Sequence, residues 1–445
     1  MPDYFKSQSR QIRKLIRRGI KTRFGKGTVA FFVVNGVIGI SNFVFAALVS
    51  RILGPASYGE LGALLNLALV ISVLLGGFQV AVTTAISGLM DTEGDLDLRW
   101  LTIRTAVVGM FLTLILLCCA PFIRDYLHLT SIWGAIILAG WCLPTVLGGL
   151  FQGVLMAENR FGLLALAGLA GTVIGRLVIG LLLVKSGFGV PGAIAATVLG
   201  QILAVLLVAV GLRGRFGHAG GAKGLLELSQ TFLSTAALAG FWLFGSEDTV
   251  LARHFLNPAS AGAYAAASTA GRIALYATGS IALLALPSLS RKGGHGVEAR
   301  TALRWAMAIT AAIGFVAAAM LAAIPKVVVS LLYGDKFFSA IPALRLLGLE
   351  ASILGLVSVL TYAQIAKKSW MALMPWVGVF GGVLSISVFH KNALDVAEAM
   401  LVNSIFVIVL MLAKVTLDFR KYSLDSASSK WHLFRGAEIV SASEK

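Results

Sequence analysis

The chain has 445 residues, 58% of them apolar and only 13% charged, with a mean hydropathy of +0.88. A water-soluble fold of that size would lack polar surface, so the composition excludes an ordinary soluble domain and points to a bilayer as solvent. The formal net charge is +17, but the basic residues lie beside apolar runs without interleaved aromatic platforms, so nucleic acid is not the implied partner.

Residues 1–27 place Phe5, Ile12, Leu15, Ile16 and Ile20 at helical spacing among Arg10, Arg13, Lys14, Arg17 and Arg18, the pattern of an interfacial helix on anionic lipid. The run that follows, 28–50, is too long for the apolar core of a cleaved leader and reads as a first span. Further runs of about 20 residues, enough to cross about 30 Å of hydrocarbon, follow it. They fall near 61–83, 101–123, 132–156, 161–184, 190–212, 230–250, 262–288, 302–324, 340–365, 370–389 and 394–417. The fold class is therefore all-α and polytopic, with about twelve transmembrane helices. The seventh run is the weakest, because Glu247 and Asp248 interrupt it.

Lys and Arg are retained on the cytoplasmic side of short loops. With the N-terminus inside, cytoplasmic segments carry 27 of the 37 basic residues, nine of them in 1–27, and outer segments carry eight. Both termini are thus expected in the cytoplasm. Cys118, Cys119 and Cys142 fall inside spans without nearby histidines and read as small packing residues. His128, His218, His254, His295, His390 and His432 lie in loops or the tail without paired-ligand spacing, so no metal is indicated. Gly187-Phe-Gly-Val-Pro-Gly192 matches a dinucleotide-binding pattern but joins two spans and follows no strand, so it reads as a turn. No cofactor is implied. The longest loop, about 17 residues, leaves little room for an extramembrane catalytic site.

An internal repeat organises the spans. Pro-Ala-Ser-x-Gly at 55–59 recurs at 258–262, an offset of 203, and the same offset carries span two onto span eight and span three onto span nine. Pro121 then meets Pro325, and Leu127 and His128 correspond to Leu331 and Leu332. Two halves of six helices enter the membrane in the same direction, a parallel repeat. The domains expected are an N-terminal segment 1–27, a first lobe 28–212, a linker 213–229, a second lobe 230–417 and a cytoplasmic tail 418–445.

The turn Arg51-Ile-Leu-Gly-Pro-Ala-Ser-Tyr-Gly59 resembles that of the polysaccharide-exporter branch of the multidrug/oligosaccharidyl-lipid/polysaccharide superfamily, whose best-known members are Wzx-type O-antigen flippases. Ser246-Glu-Asp-Thr-Val-Leu-Ala-Arg-His-Phe-Leu256, followed by Asn257 to Tyr264, is similar to that family's seventh span and loop. The resemblance implies a two-lobe bundle with a cationic central cavity that moves lipid-diphosphate-linked oligosaccharides across the bacterial plasma membrane. Membrane lipid, the lipid-linked glycan and other polysaccharide-assembly proteins are the implied partners.

Charges inside spans cost about 2.5–3.5 kcal/mol each at mid-bilayer and demand a partner or water. Arg272 in span eight and Glu350 in span ten lie at similar depth. They read either as a structural ion pair or as a lumen arginine facing phosphate, with Glu350, Asp248 and Glu247 open to ion coupling. Arg176 follows the small-residue pattern Ala167, Gly171, Gly175 and has no acidic partner in its half's spans. It either faces the lobe interface or reaches for headgroups. Arg51 and Arg253 occupy matching span ends, where most such residues snorkel. Asn35, Asn42, Asn66, Gln79 and Gln201 line a sugar cavity or bond helix to helix. The expected activity is flipping by alternating access. Two alternatives stay open: a cation-coupled drug antiporter of the same superfamily, and a non-transporting scaffold for envelope glycan enzymes.

Overall fold

The computed structural model describes residues 23–91, 98–158, 160–215, 228–290 and 297–417. The amphipathic N-terminal segment up to residue 22, most of the linker and the tail from 418 lie outside the described residues. Within the described residues the chain is helical throughout, with no strand.

Eight helical segments are long and apolar enough to cross a membrane: Gly36–Val73, Leu98–Cys118, Trp133–Ala157, Phe161–Gly211, Arg300–Ala323, Asp335–Ala366, Trp370–Val388 and Ala393–Leu417. Two of them hold two spans each. Arg23–Asp91 turns at Gly54, which takes φ 73°, ψ 173° and is followed by Pro55. That left-handed backbone suits glycine, and proline cannot continue the hydrogen-bond ladder, so the chain reverses between spans one and two. Phe161–Gly211 turns at Gly187 (φ 91°) and Gly189 (φ 55°), so the glycine-rich match is a turn between spans five and six. Leu228–Phe244 and Pro258–Ser290 supply spans seven and eight, which brings the number among the described residues to twelve.

Span seven is broken. Leu228–Phe244 stops, Gly245 and Ser246 make the turn, and Glu247–Phe255 resumes with both acids in its first turn. Acids favour a helix N-terminus because its unpaired amides carry partial positive charge, which explains how two carboxylates interrupt an apolar run without ending the span.

Large apolar side chains cover the outside, with Val107, Phe111, Val316, Phe380, Leu384 and Val402 all more than half exposed. Water would penalise that surface and hydrocarbon does not. Cys142 is buried as expected of a packing residue, whereas Cys118 and Cys119 are exposed and sit on the apolar surface instead.

The chain forms two compact units. One takes in residues up to Ala239 together with Thr249–Ala266 and Lys326–Ile341; the other takes in Gly240–Asp248, Ala267–Pro325 and the chain from Pro342 onward. The first packs around Leu98, Leu150, Leu155 and Val205. In the second, the helix Ile341–Ala366, which belongs to it from Pro342 onward, buries most of its residues.

Candidate functional site

Polar groups at depth gather in one place in each unit. In the first, a cavity of about 240 Å³ is lined by Asn42, Gln152, Gln201, Thr172, Thr197, Trp141 and Arg176 among apolar residues. Arg176 rides on Ala170–Val178, a π-helical stretch with one extra residue per turn, a distortion that recurs at functional sites. Small residues make room for it. A Cβ on Gly171 would come within 2.6 Å of the Gly200 carbonyl oxygen, and one on Gly175 would overlap the Gly200 backbone, so the Ala167/Gly171/Gly175 pattern is a close helix crossing.

The Arg176 guanidinium donates to Asn42 Oδ1 at 2.8 Å and lies 4.8 Å from the centre of the Phe45 ring. An amide and an aromatic face hold the cation where the sequence offered no acid, and neither cancels its charge. Gln201 and Gln152 converge over Gly148, where a Cβ would lie 3.1 and 3.5 Å from their amide nitrogens. Trp141 Nε1 donates to Ser72 Oγ at 2.8 Å, which sets the indole in the wall. No carboxylate is among the described lining residues. The cavity offers amides, hydroxyls and one permanent cation, a set suited to an anionic or hydroxyl-rich ligand.

Of the sequence candidates, Arg176, Asn42 and Gln201 meet here. Gln79 instead donates to Met156 Sδ at 3.3 Å, and Asn66 bonds the Gly62 carbonyl one turn back at 2.8 Å. The Asn35 side chain lies outside the described residues. Sequence reasoning did not single out Gln152, Thr172, Thr197 and Trp141, since a lone amide, hydroxyl or indole in an apolar span carries no signal of the face it occupies.

The second unit gathers its charges around the break in span seven. Arg272 donates to Asp248 Oδ1 at 3.1 Å, and Ser268 donates to Asp248 Oδ2 at 3.0 Å. The ion pair, expected between Arg272 and Glu350, is instead made by Arg272 with Asp248 of the neighbouring helix. Glu350 accepts from Ser404 Oγ at 3.3 Å. Glu247 is 6% exposed, and neither carboxylate oxygen has a hydrogen-bond partner among the described residues. It sits against Gly382, beside Asn403, whose amide donates to the Gly378 carbonyl at 2.6 Å. Among the described residues this buried cluster counts three acids and one arginine, an acidic excess that a proton or a cation would offset.

Arg51 and Arg253 lie in neither cluster. Arg253 is 3% exposed, so it does not snorkel. It donates from Nε to the Leu127 carbonyl at 2.9 Å and from Nη2 to the His128 carbonyl at 2.8 Å and to Glu60 Oε1 at 3.2 Å. Arg51 is exposed and donates from Nη2 to the Ser330 carbonyl at 3.0 Å and to the Leu331 carbonyl. Beside Arg253, His254 stacks on Tyr126 at 4.0 Å between ring centres.

A sequence model of polysaccharide biosynthesis proteins matches residues 48–342. No curated protein sequence matches the chain. Among solved structures, the fold is similar to the lipid II flippase MurJ in an inward closed conformation, with a TM-score of 0.69 at 14% identity over 92% of this chain and 93% of that one. It is also similar to an inward-facing multidrug resistance MATE transporter of the MOP superfamily, with a TM-score of 0.68 at 16% identity, covering 86% of this chain and 96% of that one. A MOP superfamily transporter from Pyrococcus furiosus, described as having a binding pocket of reverse polarity, gives a TM-score of 0.58 at 16% identity, with 90% and 96% covered.

Proposed function

We propose, from the premise that the chain belongs to the polysaccharide biosynthesis protein family, that it is a flippase carrying a lipid-diphosphate-linked oligosaccharide across the bacterial plasma membrane by alternating access. Both termini are cytoplasmic in this reading, as the distribution of basic residues favours. The protein moves its substrate without making or breaking covalent bonds.

The observation that carries the reading is the cavity around Arg176, whose described lining holds no carboxylate. A multidrug site for organic cations would be served by acidic groups; this one presents donors. Its amides match sugar hydroxyls, and the guanidinium offers paired donors to phosphate oxygens while keeping its proton at any relevant pH. A diphosphate moved through hydrocarbon alone would face a prohibitive solvation cost, which a wet cationic cavity lowers. MurJ, of similar fold, is itself a lipid II flippase. Glu247, buried with no hydrogen-bond partner among the described residues, serves as the coupling group, taking a proton or a monovalent cation during the cycle.

The test is reconstitution in vesicles with a defined lipid-diphosphate oligosaccharide, following its appearance in the opposite leaflet. Wild-type protein flips it, and Arg176→Ala flips it at least tenfold more slowly while inserting normally. Equal rates for the two proteins would refute the arginine's role. Efflux of organic cations without flipping would instead favour the antiporter reading, to which the buried Glu247 also lends itself.

A further inference from the structure

We propose that Arg51 and Arg253 are the two arms of a reciprocal latch at the outer ends of the helices, closed here, which releases when the protein opens outward. Each arginine caps a short helix belonging to the other half of the repeat. Arg253 holds the carbonyls of Leu127 and His128, just past the helix Ala120–Tyr126. Arg51 holds those of Ser330 and Leu331, in the last turn of Pro325–Leu332. The last carbonyls of a helix have no partner within it, so a five-donor guanidinium is a natural cap. Leu127 and Leu331 are equivalent positions of the repeat. One half's arginine therefore grips the other half's turn, and the grip is returned.

The surrounding contacts obey the same symmetry. A Cβ on Gly59 would lie 2.8 Å from the Gly262 backbone nitrogen, and one on Gly62 would lie 2.9 Å from the Ala265 Cβ. Both pairs are repeat equivalents at the offset of 203. Matched residues that touch each other mark a local two-fold axis, and self-complementary contact across such an axis is the geometry of an isologous interface.

The arms are unequal. Arg253 is buried and adds Glu60, which is held in turn by Thr130 through its amide at 3.3 Å and its hydroxyl at 3.1 Å. The repeat equivalent of Glu60 is Ala263, so the exposed Arg51 arm lacks that acid. The Arg51 arm opens first and the Arg253–Glu60 arm sets the threshold.

The outer side is taken from the proposed orientation, but the decisive measurement needs neither orientation nor transport. Hydrogen–deuterium exchange is followed in lipid nanodiscs over 124–131 and 326–334, with 142–157 as internal reference. Glu60→Gln raises exchange over 124–131 at least tenfold, and Arg51→Ala does so over 326–334. Each variant also raises exchange at least threefold in the opposite arm. Exchange that stays local to the altered arm makes the arginines independent helix caps and overturns the latch, as does unchanged exchange in both. Arg253→Ala should loosen both arms most; because it can fail to fold, the test rests on Glu60→Gln and Arg51→Ala, which keep the buried guanidinium. As a second measurement, Ala261→Cys, in protein whose Cys118, Cys119 and Cys142 are serine, reacts with a membrane-impermeant maleimide at least tenfold faster from outside when Glu60→Gln is added. Equal labelling, or faster labelling from the cytoplasmic side alone, overturns the proposal.

Discussion

In an apolar span the Arg176 guanidinium is held by the Asn42 amide oxygen and lies over the Phe45 ring. Arg176→Lys preserves the charge but loses the planar fork, so flipping falls to an intermediate rate between wild type and Arg176→Ala, as measured in the same vesicles. A charge-assisted hydrogen bond is worth about 1.5–3 kcal/mol, which sets the Arg176→Ala loss at tenfold or more. Glu247 poses the opposite case. Its carboxyl has no hydrogen-bond partner among the described residues, so Glu247→Gln removes a buried ionisable group at nearly constant shape. Its thermal midpoint should match or exceed wild type, while flipping ceases to respond to an imposed sodium or proton gradient. A retained gradient response would remove Glu247 from coupling. Arg176 was legible in the sequence because one charge in a long apolar run costs several kcal/mol and must be explained. Gln152 and Thr172 were not, because an amide or hydroxyl in a span bonds helix, ligand or water equally well. Asp248 as the partner of Arg272 was hidden by its place in a run that reads as an interruption.

The helices owe their usefulness to where they stop. Span seven breaks at Gly245 and Ser246 and delivers two acids to the interior; the π-helical stretch at Ala170–Val178 presents Arg176; Gly54 reverses the chain between spans one and two. Gly54→Ala forces a side chain into φ 73°, ψ 173° and should cost about 1–3 kcal/mol, read as a lower midpoint of thermal unfolding in detergent. Gly36→Ala lies in the same long helix with nothing within 4 Å of the added methyl, and serves as the control that leaves the midpoint unchanged or raised. Span positions were readable from hydropathy alone, since the bilayer imposes one length on every crossing. The breaks were readable only where glycine or proline marked them, as at Gly54 and Gly187. The π-helical stretch carries no such mark.

At the scale of the molecule, the repeat seen as Pro-Ala-Ser-x-Gly is a contact as well as a likeness, with Gly59 against Gly262 and Gly62 against Ala265. Sequence comparison shows that two segments are related and is silent on whether they touch. The proximity gives a direct handle on function. Gly62→Cys combined with Ala265→Cys brings two thiols near the reach of a disulfide, whose Cβ atoms lie about 3.5–4.5 Å apart. Oxidation should cross-link the pair and stop flipping, and reduction should restore it; full flipping by oxidised, cross-linked protein would show that the seam never parts. The Gly59–Gly262 contact carries a further consequence, about ancestry. In a symmetric pair of identical chains, a residue on the axis meets its own copy, so any bulk added there counts twice and must be tolerated by both partners at once. Glycine is the residue that escapes this doubled cost. A pair of identical six-span chains would have needed it at that point, whereas Glu60 and its repeat equivalent Ala263 differ in a way that two identical chains cannot.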